Sequence, residues 1–382
     1  MKDKIVIIGA GCFQNPLILK AKEMGFETHV FAWPEGGVGK KNADFFYPIS
    51  ITEKTLILEK CKKLAPKAVV TIASDLAAIT VNYIANRLFL PCNSEYSSLV
   101  SSNKYEMRKA FEAVGIDTPQ YYLYSDKKNF HETPHFCYPM IVKPTDRSGS
   151  RAITKLEDSS GLYAALDAAL KNSFEKKAII EEYMEGEEFS CECISFEGKH
   201  HFLQLTKKFT TGAPHFIETG HIQPAGLDRE TTEKIKKNVF KALDALEIRY
   251  GASHTEFKIS KDGRIRLIEI GARMGGDCIG SHLVQISTGY DFLKMVIDAA
   301  CGKEPDFTKT HSQKIGAIKF ILKDEDLKYL ESLKRKKPEY ICEISNIENR
   351  PESHIIDSST RRGYYILQFE SEEEAHRLFA SK

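Results

Sequence analysis

The stretch from Ser253 to Gly271 constrains the fold more than any other. Two alternating apolar runs, 253–260 and 264–271, flank Lys261-Asp262-Gly263. Asp-Gly between such runs is a strong hairpin signal, because a two-residue type I′ turn needs φ > 0 at both central positions. With Asp262 and Gly263 in those places, Glu256 lies directly opposite Glu269. Like charges facing across a ladder destabilise it unless a cation sits between them. A hard divalent ion with oxygen ligands, Mg²⁺ or Mn²⁺, is the natural candidate. Thr255, Phe257, Ile268 and Ile270 fall on the other face, where they are expected to meet a core. Two solvated glutamates on an exposed sheet are the competing reading, and a three- or four-residue loop would slip the register.

Directly after the second strand comes Gly271-Ala272-Arg273-Met274-Gly275-Gly276-Asp277. If the chain stays extended, Glu269, Gly271 and Arg273 share a face, which sets a guanidinium beside the carboxylates. Arginine holds carboxylates and phosphates with two parallel hydrogen bonds, and a Gly-Gly pair lets backbone N–H groups approach an anion. Together these residues describe a phosphoryl-transfer site. Asp277 reads either as a partner for a substrate ammonium or, preferably, as the N-cap of the next helix.

The whole chain sets few limits beyond these. Its 382 residues suffice for two or three domains with cores of their own. Lys and Arg (54) nearly cancel Asp and Glu (53), so charge does not ask for nucleic acid or an anionic membrane. No apolar run nears membrane-spanning length and the start is not signal-like, so a cytoplasmic protein is expected. Nine irregularly spaced cysteines, with Cys191 and Cys193 the one close pair, read as reduced thiols rather than a zinc site.

Upstream, Lys4–Ile8 is a buried parallel-type strand followed by Gly9-Ala10-Gly11 and a helix through Lys22. A strand at 28–31, a helix at 52–64, a strand at 68–72 and a helix at 76–88 continue the alternation. The glycine pattern stops at Gly-x-Gly and no acidic residue ends the second strand, so a Rossmann-like domain without NAD is expected. Ser74-Asp75 reads as a helix cap. Lys104 falls in the first turn of a capped helix, where the dipole disfavours a cation, so it is either solvated or turned toward an anion. Lys143 ends a short strand that runs into Thr145-Asp146-Arg147-Ser148-Gly149-Ser150-Arg151, a loop able to cradle phosphates. Residues 161–171 form a helix, 178–182 a strand, and Tyr183-Met184-Glu185-Gly186-Glu187-Glu188 an acidic linker. Phe209–Pro224, punctuated by Gly and Pro, reads as a substrate-covering loop. A helix over 290–300 precedes a last region with strands at 316–321 and 364–369 and a helix at 371–379.

Lys104, Val142-Lys143-Pro144, Ser148-Gly149-Ser150, Glu181-Glu182-Tyr183-Met184 with Glu188, Glu256, and Glu269-x-x-Ala272-Arg273 follow one another with domain-scale gaps. This order resembles the ATP-grasp superfamily over almost the whole chain. Ala-Arg-x-Gly-Gly-Asp and Glu218-Thr219-Gly220-His221-Ile222-Gln223-Pro224 are similar to the carboxylate–amine ligases, the L-amino acid ligases most of all. The implied fold class is α/β: a Rossmann-like domain (1–100), a two-part α+β ATP-grasp domain (101–314, nucleotide-covering subdomain about 120–185) and a small α+β lobe (315–382).

The resemblance also implies roles. Lys104 and Lys143 would contact ATP phosphates, and Ser148, Gly149 and Ser150 would close over them. Glu181, Glu182, Tyr183 and Met184 would border the adenine, and Glu188 the ribose. Glu256 and Glu269 would hold one or two Mg²⁺ or Mn²⁺ ions. Arg273 and Lys143 would stabilise transition-state charge. His221 matches a substrate-side histidine, although a satisfied structural histidine is the even alternative. Lys207 or Lys208 would add a phosphate contact unless both are merely solvated. One position departs from the pattern: Gly271 stands where Glu-x-Asn is usual, so a metal is held more loosely or another group such as Asp277 fills in. The implied reaction is ATP-dependent amide formation between a small carboxylate and an amine through an acyl phosphate. A carboxylase or formate-dependent purine-synthesis enzyme, and a non-catalytic ATP-binding protein, are the alternatives. Such enzymes are often dimers, so a homodimer is expected.

Overall fold

A computed structural model describes residues 2–125, 137–213 and 216–375. The first hundred residues alternate strand and helix, and their strands β1 (Lys4–Ile8), β2 (Glu27–Ala32), β3 (Phe45–Pro48) and β4 (Ala68–Val70) form a parallel sheet in the order β3-β2-β1-β4. β1 is wholly apolar from Ile5 to Ile8 because both sheet faces are covered. Ile5 and Ile7 join a core that also holds Met274, Phe292 and Val296, so the helix Phe292–Ala300 ties this sheet to the rest.

A small antiparallel sheet follows, in the order β5-β8-β6-β7, from β5 (Tyr121–Tyr124), β6 (Met140–Pro144), β7 (Thr154–Leu156) and β8 (Ala178–Glu182). The helix Leu162–Asn172 buries Leu162, Ala165, Leu166 and Ala169, at helical spacing, against it.

An antiparallel eight-stranded sheet carries the rest. Its strands are β9 (Glu187–Phe196), β10 (Lys199–Thr210), β11 (Glu218–Gln223), β12 (Gly251–Ile259), β13 (Ile265–Gly271), β14 (Ile315–Ile321), β15 (Ile341–Ile344) and β16 (Gly363–Phe369), in the order β13-β12-β9-β10-β11-β14-β16-β15. The last three strands extend this sheet across β11. The helix expected over 371–379 is described only to Ala375.

Two expectations change here. Half of residues 209–224 is strand, since Phe209 pairs with Gly220 and Lys208 with His221, and the connection between the strands is 211–217, of which 214 and 215 lie outside the described residues. Glu188, expected in an acidic linker, lies instead near the start of β9, in a long hairpin with β10.

The glutamate hairpin reaches its expected register by a different route. Ile259 pairs with Ile265 and Ser260 N–H donates to Arg264 O, so the loop has three residues with Gly263 at φ +81°. That slips the register by one. A bulge between the Phe257–Leu267 and Glu256–Glu269 pairs then absorbs one residue, Ile268, and restores it. Glu256 therefore does face Glu269, while Leu267 rather than Ile268 takes the buried core position.

Candidate active site

The site is written in one polar face of β9 and β12. Glu192 pairs with His254, Ser190 with Glu256 and Glu188 with Lys258, all on one side because side chains alternate along a strand. Phe189, Cys191 and Phe257 take the opposite side and pack in the core. Glu256 accepts from Lys208 Nζ at 2.5 Å and lies 3.2 Å from His254 Nε2, and Lys208 also reaches Glu188 at 2.9 Å. Across the hairpin, Glu269 lies 2.7 Å from Lys104 Nζ. Each of the two facing carboxylates thus has a buried lysine beside it and keeps about a fifth of its own side chain exposed. Burial works against the charge on Glu256, but Lys208 and His254 outweigh it and hold the carboxyl well below its usual range. Burial likewise disfavours charge on Lys104, and Glu269 reverses this, leaving its pKa raised.

Two carboxylates half-open to a cleft suit an ion that completes its coordination with water and phosphate, which is how Mg²⁺ is commonly held. Among the described residues no group of three or more His, Cys, Asp or Glu forms a self-sufficient metal site.

His254 is a residue that sequence reading passed over. It is buried between Glu192 and Glu256, hydrogen-bonding Glu192 through Nδ1. Burial would depress its pKa, yet the two glutamates raise it to about 9. Glu192, itself buried, also accepts from Gly275 N–H at 3.0 Å. A Cβ at Gly275 would come within 2.7 Å of His254 Nδ1, so only glycine lets the turn dock on this pair. The signal was present: His254 is two residues from Glu256 and shares its face.

Arg273 lies 2.8 Å by Nε from Asp75 Oδ1 and donates through Nη2 to Oδ2 at 3.0 Å. The reading of Asp75 as a cap is therefore corrected. Ser74 Oγ accepts from Ala77 N–H and caps the helix Asp75–Arg87, which frees the aspartate to hold Arg273. Asp75 also accounts for Gly271. A Cβ on residue 271 would stand 2.7 Å from Asp75 Oδ1, so a carboxylate from the amino-terminal sheet fills the space a side chain would need.

The suggestion that Asp277 fills that space fails, as does its role as N-cap. Its carboxylate is held by Arg361 through Nη1 at 2.9 Å and Nη2 at 2.5 Å, and the following helical turn shows no side-chain cap. His221 is fully buried beside this pair, with Nε2 3.5 Å from Asp277 Oδ2 and no hydrogen bond at either ring nitrogen. Burial lowers its pKa, so the ring is neutral.

Lys143 sits deeper. Its Nζ lies 2.6 Å from Glu181 Oε2, whose other oxygen accepts from Arg108 Nε at 2.8 Å. Burial and the neighbouring cations Arg108 and Lys104 depress the Lys143 pKa despite Glu181. The Glu181 carboxylate is buried and shared by two cations. Next to it, Glu182 holds Arg266 at 2.8 Å and spends its N–H on Gln120 O. The Tyr183 N–H goes to Pro139 O, the Met184 carbonyl takes Lys258 Nζ at 3.1 Å, and the Tyr183 ring lies under Lys155 and Lys258. Ser148, Gly149 and Ser150 form the connection from β6 to β7, where Ser150 reaches Phe216 O at 3.4 Å. Lys207 pairs with Glu187 at the surface.

Residues 136–281 match the model of the ATP-grasp domain. Over 305 residues the chain is 28% identical to alanine–anticapsin ligase of Bacillus subtilis, covering 71% of this chain and 64% of that protein. It is 26% identical over 218 residues to D-alanine–D-alanine ligase of Thermosipho africanus (strain TCF52B), covering 53% and 57%. The chain thus spans a little under two thirds of the curated relatives it matches. Among solved structures, L-amino acid ligase from Bacillus licheniformis superposes over 99% of this chain and 96% of its own with TM-score 0.85 at 22% identity. Phosphoribosylglycinamide synthetase from Anaerococcus prevotii does so over 99% and 96% with TM-score 0.76 at 21%. No described helix is long and apolar enough to cross a membrane. Residues 136–281 thus resemble an ATP-grasp domain, and the chain has the α/β fold of these solved structures.

Proposed function

We propose that this chain is an ATP-dependent carboxylate–amine ligase that joins an amino acid to a second small acid or amino acid, releasing ADP and phosphate. The observation that carries the reading is the facing pair Glu256 and Glu269, with Arg273 one turn beyond and Lys104, Lys208 and Lys143 around it. The names of the sequence relatives, ligases of alanine, favour an amide-forming reaction over a carboxylation.

In this reading Glu256 and Glu269 hold Mg²⁺, which supplies charge neutralisation for the transferring phosphoryl group. Lys104 and Lys208 leave the carboxylates and turn to phosphate oxygens. Lys143, fixed by Glu181, keeps a buried positive charge aimed at the nucleotide. Arg273, fixed by Asp75, stabilises charge that grows on the substrate carboxylate as it attacks, and the amine of the second substrate then displaces phosphate from the acyl phosphate. The 146–151 loop keeps water from that intermediate.

ADP release across a panel of amino acids, singly and in pairs, with mass spectrometry of the products, tests this. The expected result is release that needs both substrates and yields an amide. ATP binding without turnover for any pair would leave a nucleotide-binding protein instead.

A further inference from the structure

The turn that carries Arg273 is anchored by three segments far apart in the chain. Its guanidinium pairs with Asp75 and donates through Nη1 to the Met274 carbonyl at 3.3 Å, and that carbonyl also accepts from Ala73 N–H at 3.1 Å. Gly275 N–H donates to Glu192 on β9. Asp277 takes both Nη groups of Arg361, which comes from the segment leading into β16.

At this third anchor the backbone is strained. Asp277 and Cys278 lie at φ +52° and +60°, two consecutive side-chain-bearing residues in the left-handed region, and a turn of π-helix, Ile279–Leu283, follows them. Residues other than glycine keep that conformation only where their surroundings impose it. Arg361 is placed to impose it. Its side chain is 6% exposed, its guanidinium carbon lies 3.5 Å from the Phe320 ring centroid on β14, and its Nε donates to the Ser358 carbonyl at 2.8 Å. Ser358 is tied in turn to Glu218 on β11. The fork that meets Asp277 is therefore fixed by packing on one strand and by hydrogen bonds on its own segment, and two parallel bonds hold a carboxylate in one orientation.

We propose that Arg361 is a positioning residue for Arg273. Acting through Asp277, it keeps the 274–278 turn on its left-handed course and so fixes the guanidinium that the ligase reading sets against the reacting carboxylate. The carboxy-terminal strands then do more than extend the sheet, because they shape the site from 84 positions away. The effect on catalysis rests on the ligase reading; the anchoring of the turn does not.

Hydrogen–deuterium exchange on the full chain, read by mass spectrometry, tests the anchoring. The proteins are the wild type, Arg361→Gln and the milder Asp277→Asn, which reads the same contact if the arginine variant does not fold. Amides in peptides spanning 274–283 should exchange tenfold or more faster in the variants, with peptides of β1 and β2 within twofold of wild type. Steady-state ADP release tests the consequence: kcat should fall tenfold or more while the KM for ATP stays within twofold. Three results overturn the proposal: unchanged exchange in 274–283, exchange faster by the same factor throughout the chain, or a wild-type kcat in a variant whose turn has loosened. Faster exchange confined to 274–283, with no ADP release by the wild type from any substrate pair, would support the anchor and break the ligase reading instead.

Discussion

Two sets of lysine–glutamate contacts flank the cleft, and they are built differently. In the eight-stranded sheet, Glu256 and Glu269 keep about a fifth of their side chains in solvent, and each is reached by one buried lysine. In the small sheet, Glu181 is almost completely buried and shares its oxygens between Arg108 and Lys143. A carboxylate that keeps contact with solvent can exchange its lysine for another cation at less cost than a buried one, because water screens the change. A buried triad cannot, since removing one member strands uncompensated charge. The first arrangement suits carboxylates that must accept and release an ion. The second suits a lysine whose charge must stay put.

Substitutions should separate the two regions. Glu269→Ala is expected to abolish substrate-dependent ADP release, a fall of roughly 10²–10³-fold or more of the kind seen when an electrostatic stabiliser is removed, with little change in melting temperature. Glu181→Ala should do the opposite first. It leaves Arg108 and Lys143 without their anion, at a cost of about 3–5 kcal/mol, read as a large drop in the urea midpoint. Equal stability losses in the two variants would erase the contrast. Arg273→Ala lies between them: activity should vanish, and stability should also fall because Asp75, about a fifth exposed, loses its partner.

A smaller effect concerns Gly271. Gly271→Asn forces a side chain toward Asp75 and is expected to cost about 1–3 kcal/mol by overpacking. Combined with Asp75→Ala it should cost less than the sum of the two single changes, as expected for neighbours competing for one space. Strict additivity in chemical denaturation would show that the two positions do not compete.

The mildest test is pH. The folded-state pKa of His254 is raised to about 9, above an ordinary value of 6.5, by Glu192 and Glu256 acting against burial. A raised folded pKa means the protonated ring stabilises the fold fully below pH 6.5, and that this contribution is lost as pH climbs through about 9. The nucleotide-free protein should therefore melt at progressively lower temperature from pH 6.5 to 9, and His254→Gln should flatten that slope.

Strand-level chemistry was legible in the sequence, and contacts between distant segments were not. Alternation together with the Asp-Gly turn put Glu256 opposite Glu269, although the expected turn was wrong by one residue and an unforeseen bulge at Ile268 cancelled the error. The same alternation could have assigned His254 and Glu192 to the metal face, since they flank Glu256 and Glu188 at spacings of two and four. By contrast, Asp75 reaches Arg273 across 198 positions and Asp277 reaches Arg361 across 84. Each aspartate precedes or begins a helix, so capping was a complete local explanation, and no local pattern carries information about an arginine in a distant segment. Gly271 looked like a defect in a motif for the same reason. Only the packed structure brings Asp75 into the space beside it.

The central claim is that two facing carboxylates bind a divalent ion together with a nucleotide. Its most direct measurement is electron paramagnetic resonance of free Mn²⁺ during titration with ADP, comparing wild type with Glu256→Gln/Glu269→Gln. Wild-type protein should deplete the free-ion signal beyond what ADP alone removes, and the double variant should not. Identical depletion by both proteins would contradict the assignment.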